Sequence, residues 1–284
     1  MKPETVLKLV ERIDDLPTIP AIALEVNRLL SDQEVSTSEI CQLIRQDQAM
    51  VPRILKLVNS SFFGLRSKVI NIERAAVLLG NRTLQNAIMS IAVIDSISFE
   101  PEVKAFNLAD FWTHAIEVAT ISKHLACETR LVQPEDAFTA GLLHDLGKII
   151  LVQYFPDFFE KIRIEIIESE KSFYFAEKSI IGVTHCQMGK ILGEKWQLPS
   201  RLTEVIRYHH EVDFLTESKP LLLVVHIADM ISNRCSLTTG CNIDPNEVPL
   251  AAVTLLSREI ETVNEWYIDL AEQVRSGCNF FNKE

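Results

Sequence analysis

The chain has 284 residues, enough to bury a sizeable core and near the size at which one core divides into two. Its 39 acidic against 28 basic residues leave a net charge of −11 with no Lys/Arg cluster, which disfavours both nucleic acid as the main partner and anionic membrane surfaces, so neither is expected. Only 9 glycines, set among long apolar-periodic stretches, favour helices over a turn-rich β fold.

In chain order, Val6, Leu7, Val10 and Ile13 share the apolar face of a first short helix, which breaks at Leu16-Pro17-Thr18-Ile19-Pro20. Ile22, Val26, Leu29 and Leu30 form the next face. Ser36 and Glu39 have the spacing of a capping box, in which each side chain satisfies a free backbone N–H, ahead of Ile40, Leu43 and Ile44. Ile54, Leu55 and Val58 make a fourth face that ends at Asn59-Ser60-Ser61, before a loop containing Gly64. Asn71 caps a helix through Ala75, Ala76, Leu78 and Leu79, and Gly80 suits its left-handed C-terminal position. A longer helix runs from Thr83 to Ile97.

Glu100-Pro101-Glu102 marks a boundary, giving an N-terminal helical lobe over 1–100 and a second over 101–284 that includes a C-terminal helical extension. In the second lobe the expected helices are 108–127, 137–151 entered through Pro134, 156–170, 184–196, 199–210, 219–233 and 248–274. No strand pattern exceeds a few residues and no repeat is present. The expected fold is all-α, in two helical lobes.

The six cysteines (Cys41, Cys127, Cys186, Cys235, Cys241, Cys278) form no CxxC pair and read as buried, reduced thiols of a cytoplasmic protein. Charge returns early, at Lys8, Glu11 and Arg12, so the first residues do not read as a signal peptide. The longest apolar stretch, Leu221 to Ile231, is interrupted by His226 and Asp229 and falls far short of the about 20 residues that span a bilayer.

Five of the seven histidines and two aspartates fall into one ordered series: His114, His144-Asp145, His185, His209-His210 and Asp229, distributed over separate helices of the second lobe. Taken singly, several have ordinary readings. His114 resembles a core histidine, His185 a first-turn residue, and His209-His210 cations placed against a helix C-terminus. The pair His144-Asp145 is different, because it sits among Leu142, Leu143 and Leu146 between Gly141 and Gly147, and a buried carboxylate needs a partner or a metal. Mixed imidazole and carboxylate donors suit Fe, Mn, Zn or Ni better than Mg or Ca. A carboxylate flanked by histidines can bridge two ions, which together clamp a phosphoryl oxygen and activate water. The adjacent His209 and His210 point about 100° apart if both are helical, so they serve one centre only where the helix ends there. His124 and His226 fit no pattern and read as structural.

The motifs Leu16-Pro17-Thr18-Ile19-Pro20, Leu43-Ile44-Arg45-Gln46-Asp47, Ile54 to Ser60 and Ile72 to Gly80, followed by Phe111-Trp112-Thr113-His114, Ala140 to Lys148 and Trp196-Gln197-Leu198-Pro199, resemble the HDOD proteins, relatives of the HD and HD-GYP phosphohydrolases. The likeness spans roughly residues 10–235. It implies an all-helical fold and a role in bacterial signalling as an output or scaffold module. Many HDOD members are taken to lack the HD-type ligands, but here His114, His144, Asp145, His185, His209, His210 and Asp229 match that ligand series. Asp110 stands where some HD-GYP proteins place an extra carboxylate, and Lys148 matches a lysine that lies by the substrate phosphate. The run after His210-Glu211, Val212 to Pro220, lacks the Gly-Tyr-Pro motif associated with cyclic di-GMP. The resulting expectation is a regulatory protein with one or two transition-metal ions, Fe or Mn ahead of Zn or Ni, and signalling proteins as partners. The alternative is a phosphohydrolase of a nucleotide or cyclic dinucleotide, in which Asp145 and Lys148 act in catalysis. A third reading, a sensor that binds a nucleotide without hydrolysing it, stays open.

Overall fold

A computed structural model describes residues 3–13, 16–30, 36–47, 49–60, 67–97, 106–169, 171–212, 219–236, 240–241, 243 and 248–281. The first helices are α1 (Pro3–Glu11), α2 (Ala21–Leu30), α3 (Thr37–Ile44), α4 (Met50–Val58) and α5 (Ile72–Ser96). Their punctuation follows local chemistry. Ser36 caps α3 and Glu39 returns a bond of 3.0 Å to the Ser36 N–H, the reciprocal pair that its spacing implies. Asn71 accepts from the Arg74 N–H at 2.8 Å to start α5, and Gly80, at φ 75°, kinks that helix where the sequence places a C-terminal glycine. The loop holding Gly64 and the boundary at Glu100-Pro101-Glu102 lie outside the described residues.

The rest of the chain forms α6 (Leu108–Thr129), α7 (Pro134–Leu143), α8 (Gly147–Tyr154), α9 (Pro156–Ser169), α10 (Phe173–Ile180), α11 (His185–Lys195), α12 (Ser200–Tyr208) and α13 (Pro220–Arg234), then α14 (Leu250–Glu261) and α15 (Val263–Phe281). α6 is the axis: α7, α13, α14 and α15 pack around it, while α11 packs on α8 and α12. Ile116, Ile121 and Leu125 of α6 are fully buried, each contributing up to about 1.5–3 kcal/mol of apolar transfer. The protein is all-α apart from a two-residue ladder, β1 (Cys235–Ser236) against β2 (Gly240–Cys241).

Four sequence expectations change. The helix expected over 137–151 is two, α7 and α8, because Leu146, Lys148 and Ile149 each donate to the residue three back and tighten the chain at His144-Asp145. The span 248–274 divides at Thr262, and α10 was not anticipated. Cys235 and Cys241 are joined by a disulfide, since the ladder sets them directly opposite each other. That removes the cysteine part of the case for a cytoplasmic location. Among the described residues one helix, α5, is long and apolar enough to cross a membrane by length and composition, and 61% of its most apolar window is buried inside the protein.

One continuous buried cluster runs from Val6 to Leu270. Polar groups tie α1–α5 to the rest across it. Trp196 Nε1 donates to Pro17 O at 2.7 Å, and Asn27 Nδ2 donates to Gln197 O at 2.7 Å. Buried Asp136 accepts from Asn86 Nδ2 at 2.7 Å and from Arg82 Nε at 3.1 Å.

Candidate metal centre

Two glycines bring the separate helices of the site together. A β-carbon on Gly147 would fall 1.8 Å from His185 O, and one on Gly141 would fall 2.8 Å from Ala119 Cα. Only glycine lets the start of α8 abut the first turn of α11 and lets α7 lie against α6. The doublet between α7 and α8 is thereby set between His114 on α6 and His185 at the start of α11. α12 ends at Tyr208, so His209 and His210 follow in a turn with ring centroids 4.2 Å apart, and both face the centre. Asp229 arrives from α13.

Asp145 is the hub, with its two oxygens turned to different groups. Oδ2 lies 3.4 Å from His144 Nε2 and 3.6 Å from His114 Nε2. Oδ1 lies 3.1 Å from His185 Nε2 and 3.7 Å from His209 Nε2. On the first side Asp229 Oδ1 is 3.2 Å from His114 Nε2 and 3.6 Å from His144 Nε2. Its other oxygen is 3.9 Å from His210 Nδ1. The donors fall into two groups that could each hold an ion, the half-sites His114/His144/Asp229 and His185/Cys186/His209/His210, with Asp145 between them. Among the described residues no such cluster includes Asp110, which is exposed on α6.

Four imidazoles have their Nδ1 atoms committed outward. His144 Nδ1 donates to Gly141 O at 2.6 Å, and His185 Nδ1 donates to Glu177 Oε2 at 2.7 Å. His209 Nδ1 points at Ile206 O and Val205 O, 3.1 and 3.2 Å away. His114 Nδ1 is 3.1 Å from Ser232 Oγ, whose own proton goes to Glu117 at 3.0 Å and leaves the oxygen to accept. These partners keep a proton on Nδ1 and leave Nε2 as the atom that can ligate metal once its own proton is given up. All four Nε2 atoms face inward. His144, His185 and His209 are 0% exposed and Asp145 is 2% exposed, yet His144 Nε2 and Asp145 Oδ1 have no hydrogen-bond partner. Buried polar atoms left bare cost stability unless something else occupies them. The donor set fits a transition metal.

The electrostatics point the same way. Burial opposes charge on His209, but Cys186 and the nearby Asp145 carboxylate outweigh it and hold His209 up at about 10. Burial also opposes charge on His185, which Cys186, Glu177 and Asp145 hold well above its ordinary value. Asp145 stays well below the usual carboxylate range against its burial, through His144 and Lys148. His210 is pushed well below its ordinary value by burial and by His209. The histidines and carboxylates of the pocket thus hold one another's charge, and an ion entering it would take the place of the protons on His185 and His209.

A cleft of about 580 Å³ opens onto this centre, lined by Lys148, Lys171, Phe173, Tyr174, His210, Asp229 and Arg234 among others. Lys148 pairs with Asp145 and lies 5.1 Å from the Phe173 ring centroid. It reaches both the carboxylate and the cleft. Sequence reasoning missed Glu177, whose two oxygens hold the His185 N–H at 2.9 Å and its ring at 2.7 Å. It also treated His226 as structural, but His226 Nδ1 donates to His209 O at 2.6 Å and braces the turn carrying the paired histidines. Nothing in the local pattern flags either residue, since Glu177 lies on the unanticipated α10.

A family model for the HDOD domain matches residues 16–212. An uncharacterized protein of Treponema pallidum (strain Nichols) is 31% identical over 231 residues, covering 78% of this chain but 43% of that protein, so the chain spans less than half of that relative. The crystal structure of an HDOD domain protein of unknown function from Geobacter sulfurreducens is 25% identical, with TM-score 0.77 over 99% of each chain. A candidate phosphohydrolase from Shewanella amazonensis SB2B is 22% identical, with TM-score 0.74 over 96% of this chain and 97% of that one, a likeness of fold alone.

Proposed function

The chain belongs to the HDOD family, and from that premise we propose that it is a regulatory protein whose second lobe keeps a two-ion transition-metal centre and whose first lobe is offered to signalling partners. The observation that carries the reading is the convergence of four Nε2 atoms on the two oxygens of one buried carboxylate. One ion would take His114, His144, Asp145 and Asp229; the other would take Asp145, His185, His209 and His210. Fe or Mn suits this mixture of imidazole and carboxylate, with Zn or Ni also accommodated. The centre ties α6, the α7–α8 turn, α11, the end of α12 and α13 together, so ion binding would contribute to folding. Metal content of protein purified without added ions, with Asp145→Ala beside it, tests this. About two ions per chain in the wild type and loss of at least one in the variant are expected. Ion-free protein whose thermal stability is unmoved by added Fe(II) or Mn(II) contradicts it.

A second reading, hydrolysis of a phosphate ester of a nucleotide or cyclic dinucleotide, is supported by the cleft. Lys148, Lys171 and Arg234 along its wall suit a phosphate, and Phe173 and Tyr174 suit a flat ring. Bound ions would supply Lewis acidity and an activated water. Asp145 presents one oxygen to each half-site, and Lys148 stands where it can hold a phosphate oxygen without leaving the carboxylate's neighbourhood. The segment in which a Gly-Tyr-Pro loop is missing includes residues 213–218, which lie outside the described residues. A screen of nucleotides and cyclic dinucleotides with Mn(II) or Fe(II) tests the reading. Turnover abolished by Asp145→Ala in folded protein supports it, and silence across phosphate esters leaves the regulatory reading.

A further inference from the structure

The ligand series taken from the sequence leaves one side chain at the second half-site without a role. Cys186, the second residue of α11, is 1% exposed, and its Sγ lies 3.4 Å from His185 Nε2 and 3.9 Å from His209 Nε2. One donor atom from each of His185, Cys186, His209 and His210 lies within 4.8 Å of all the others. We propose that Cys186 is itself a metal ligand, which makes the second half-site a mixed imidazole–thiolate site suited to zinc or ferrous iron. The proposal rests on the two-ion reading and deepens it.

The separations have the dimensions of a coordination polyhedron. A tetrahedral ion with metal–sulfur of about 2.3 Å and metal–nitrogen of about 2.0–2.1 Å holds sulfur about 3.6 Å from each nitrogen and the nitrogens about 3.4 Å apart. Here sulfur to nitrogen is 3.4 and 3.9 Å, and His185 Nε2 to His209 Nε2 is 3.3 Å. Asp145 Oδ1, buried and without a hydrogen-bond partner, faces the same two nitrogens at 3.1 and 3.7 Å. It and His210 are the remaining donors. A cysteine kept only for packing sits among aliphatic neighbours, whereas this sulfur lies 3.4 Å from the inward nitrogen of His185 and 3.9 Å from both ring nitrogens of His209.

The thiolate changes what the centre selects. Imidazole and carboxylate alone are compatible with manganese, but a soft sulfur donor favours zinc or iron over manganese at the half-site that holds it. The two halves then differ. The His114/His144/Asp229 side stays a nitrogen–oxygen site, and the Cys186 side becomes the softer of the pair.

Cobalt(II) added to chelator-stripped, full-length protein is the probe. Its visible bands report binding, and a near-ultraviolet charge-transfer band reports a cobalt–thiolate bond. The wild type is expected to show both. Cys186→Ser is expected to keep the visible bands and lose the near-ultraviolet one, while Cys127→Ser, at an exposed free thiol, keeps both. Zinc affinity of Cys186→Ser should fall by at least the roughly 10- to 100-fold that loss of an outer-shell partner costs, with a smaller change for manganese. Visible bands without the near-ultraviolet band in the wild type, or a band unchanged in Cys186→Ser, overturn thiolate ligation and leave the metal centre standing. No visible bands at all overturn the metal centre and this proposal together. X-ray absorption of the zinc-loaded wild type serves if Cys186→Ser does not fold. A sulfur scatterer is expected, and a shell of nitrogen and oxygen alone refutes the proposal.

Discussion

Glu177→Gln is the sharpest perturbation of the centre that leaves every ligand in place. The carboxylate is fully buried and accepts twice from one residue, the His185 N–H on one oxygen and His185 Nδ1–H on the other. Glutamine keeps the shape but must present an NH2 group to one of those two donors. Facing the ring, that group forces Nδ1 to accept, which moves the imidazole proton to Nε2 and closes its lone pair to metal. Facing the backbone, it leaves two N–H groups opposed in a buried site, which displaces α10 from α11. Either outcome weakens the half-site of His185, His209 and His210 and spares that of His114, His144 and Asp229. Loss of such an outer partner costs about 10- to 100-fold in affinity, or about 1.4–2.7 kcal/mol. Titration against a competing chelator, resolving the two binding steps, reads this directly, with circular dichroism confirming the fold. Two unchanged steps in Glu177→Gln would show that the tautomer argument is wrong, and so would loss confined to the other half-site.

Gly147→Ala should destabilise by more than the about 1–3 kcal/mol typical of an overpacked core, because its β-carbon meets backbone of α11 rather than a movable side chain; a melting temperature within a degree or two of wild type would contradict the packing account. Asp136→Ala strips the shared acceptor from Asn86, Arg82 and Arg201 and should cost about 3 kcal/mol in urea unfolding, the low end for a broken buried pair because both guanidiniums keep some solvent. Metal affinity should fall as pH falls. Burial works against a charged His209, yet Cys186 and the nearby Asp145 carboxylate hold it at about 10, so at neutral pH an incoming ion must expel its proton, and the expulsion grows harder with acid. Affinity flat between about pH 8 and about pH 6 would refute that linkage.

The helices and the ligand list were legible because both rest on residue type and spacing. Apolar periodicity and the Ser36, Asn71 and Pro134 signals located helix starts within a few residues, and Gly80 located the kink in α5. What failed was continuity. The run through His144-Asp145 keeps helical periodicity, so nothing in it distinguishes one helix from two joined by a tight turn, and the turn is fixed by tertiary contact at Gly141 and Gly147. The paired histidines posed the opposite case: as a helix they would diverge, and the end of α12 at Tyr208 lets both face inward. Glu177 and Ser232 could not be read in advance, since a residue that orients a ligand is defined by proximity and carries no motif of its own. Cys186 was adjacent to a proposed ligand in the sequence, a signal that went unused because it belongs to no pair of cysteines. The Cys235–Cys241 bond was hidden for a related reason, as only the ladder brings the two together.

Anomalous diffraction from crystals grown without added metal, collected across the Mn, Fe, Ni and Zn absorption edges, tests the centre most directly. Two peaks are predicted, one among His114, His144, Asp145 and Asp229 and one among Asp145, His185, His209 and the neighbouring Cys186 or His210. A folded crystal with no peak at either place, before or after soaking in those ions, would contradict the account.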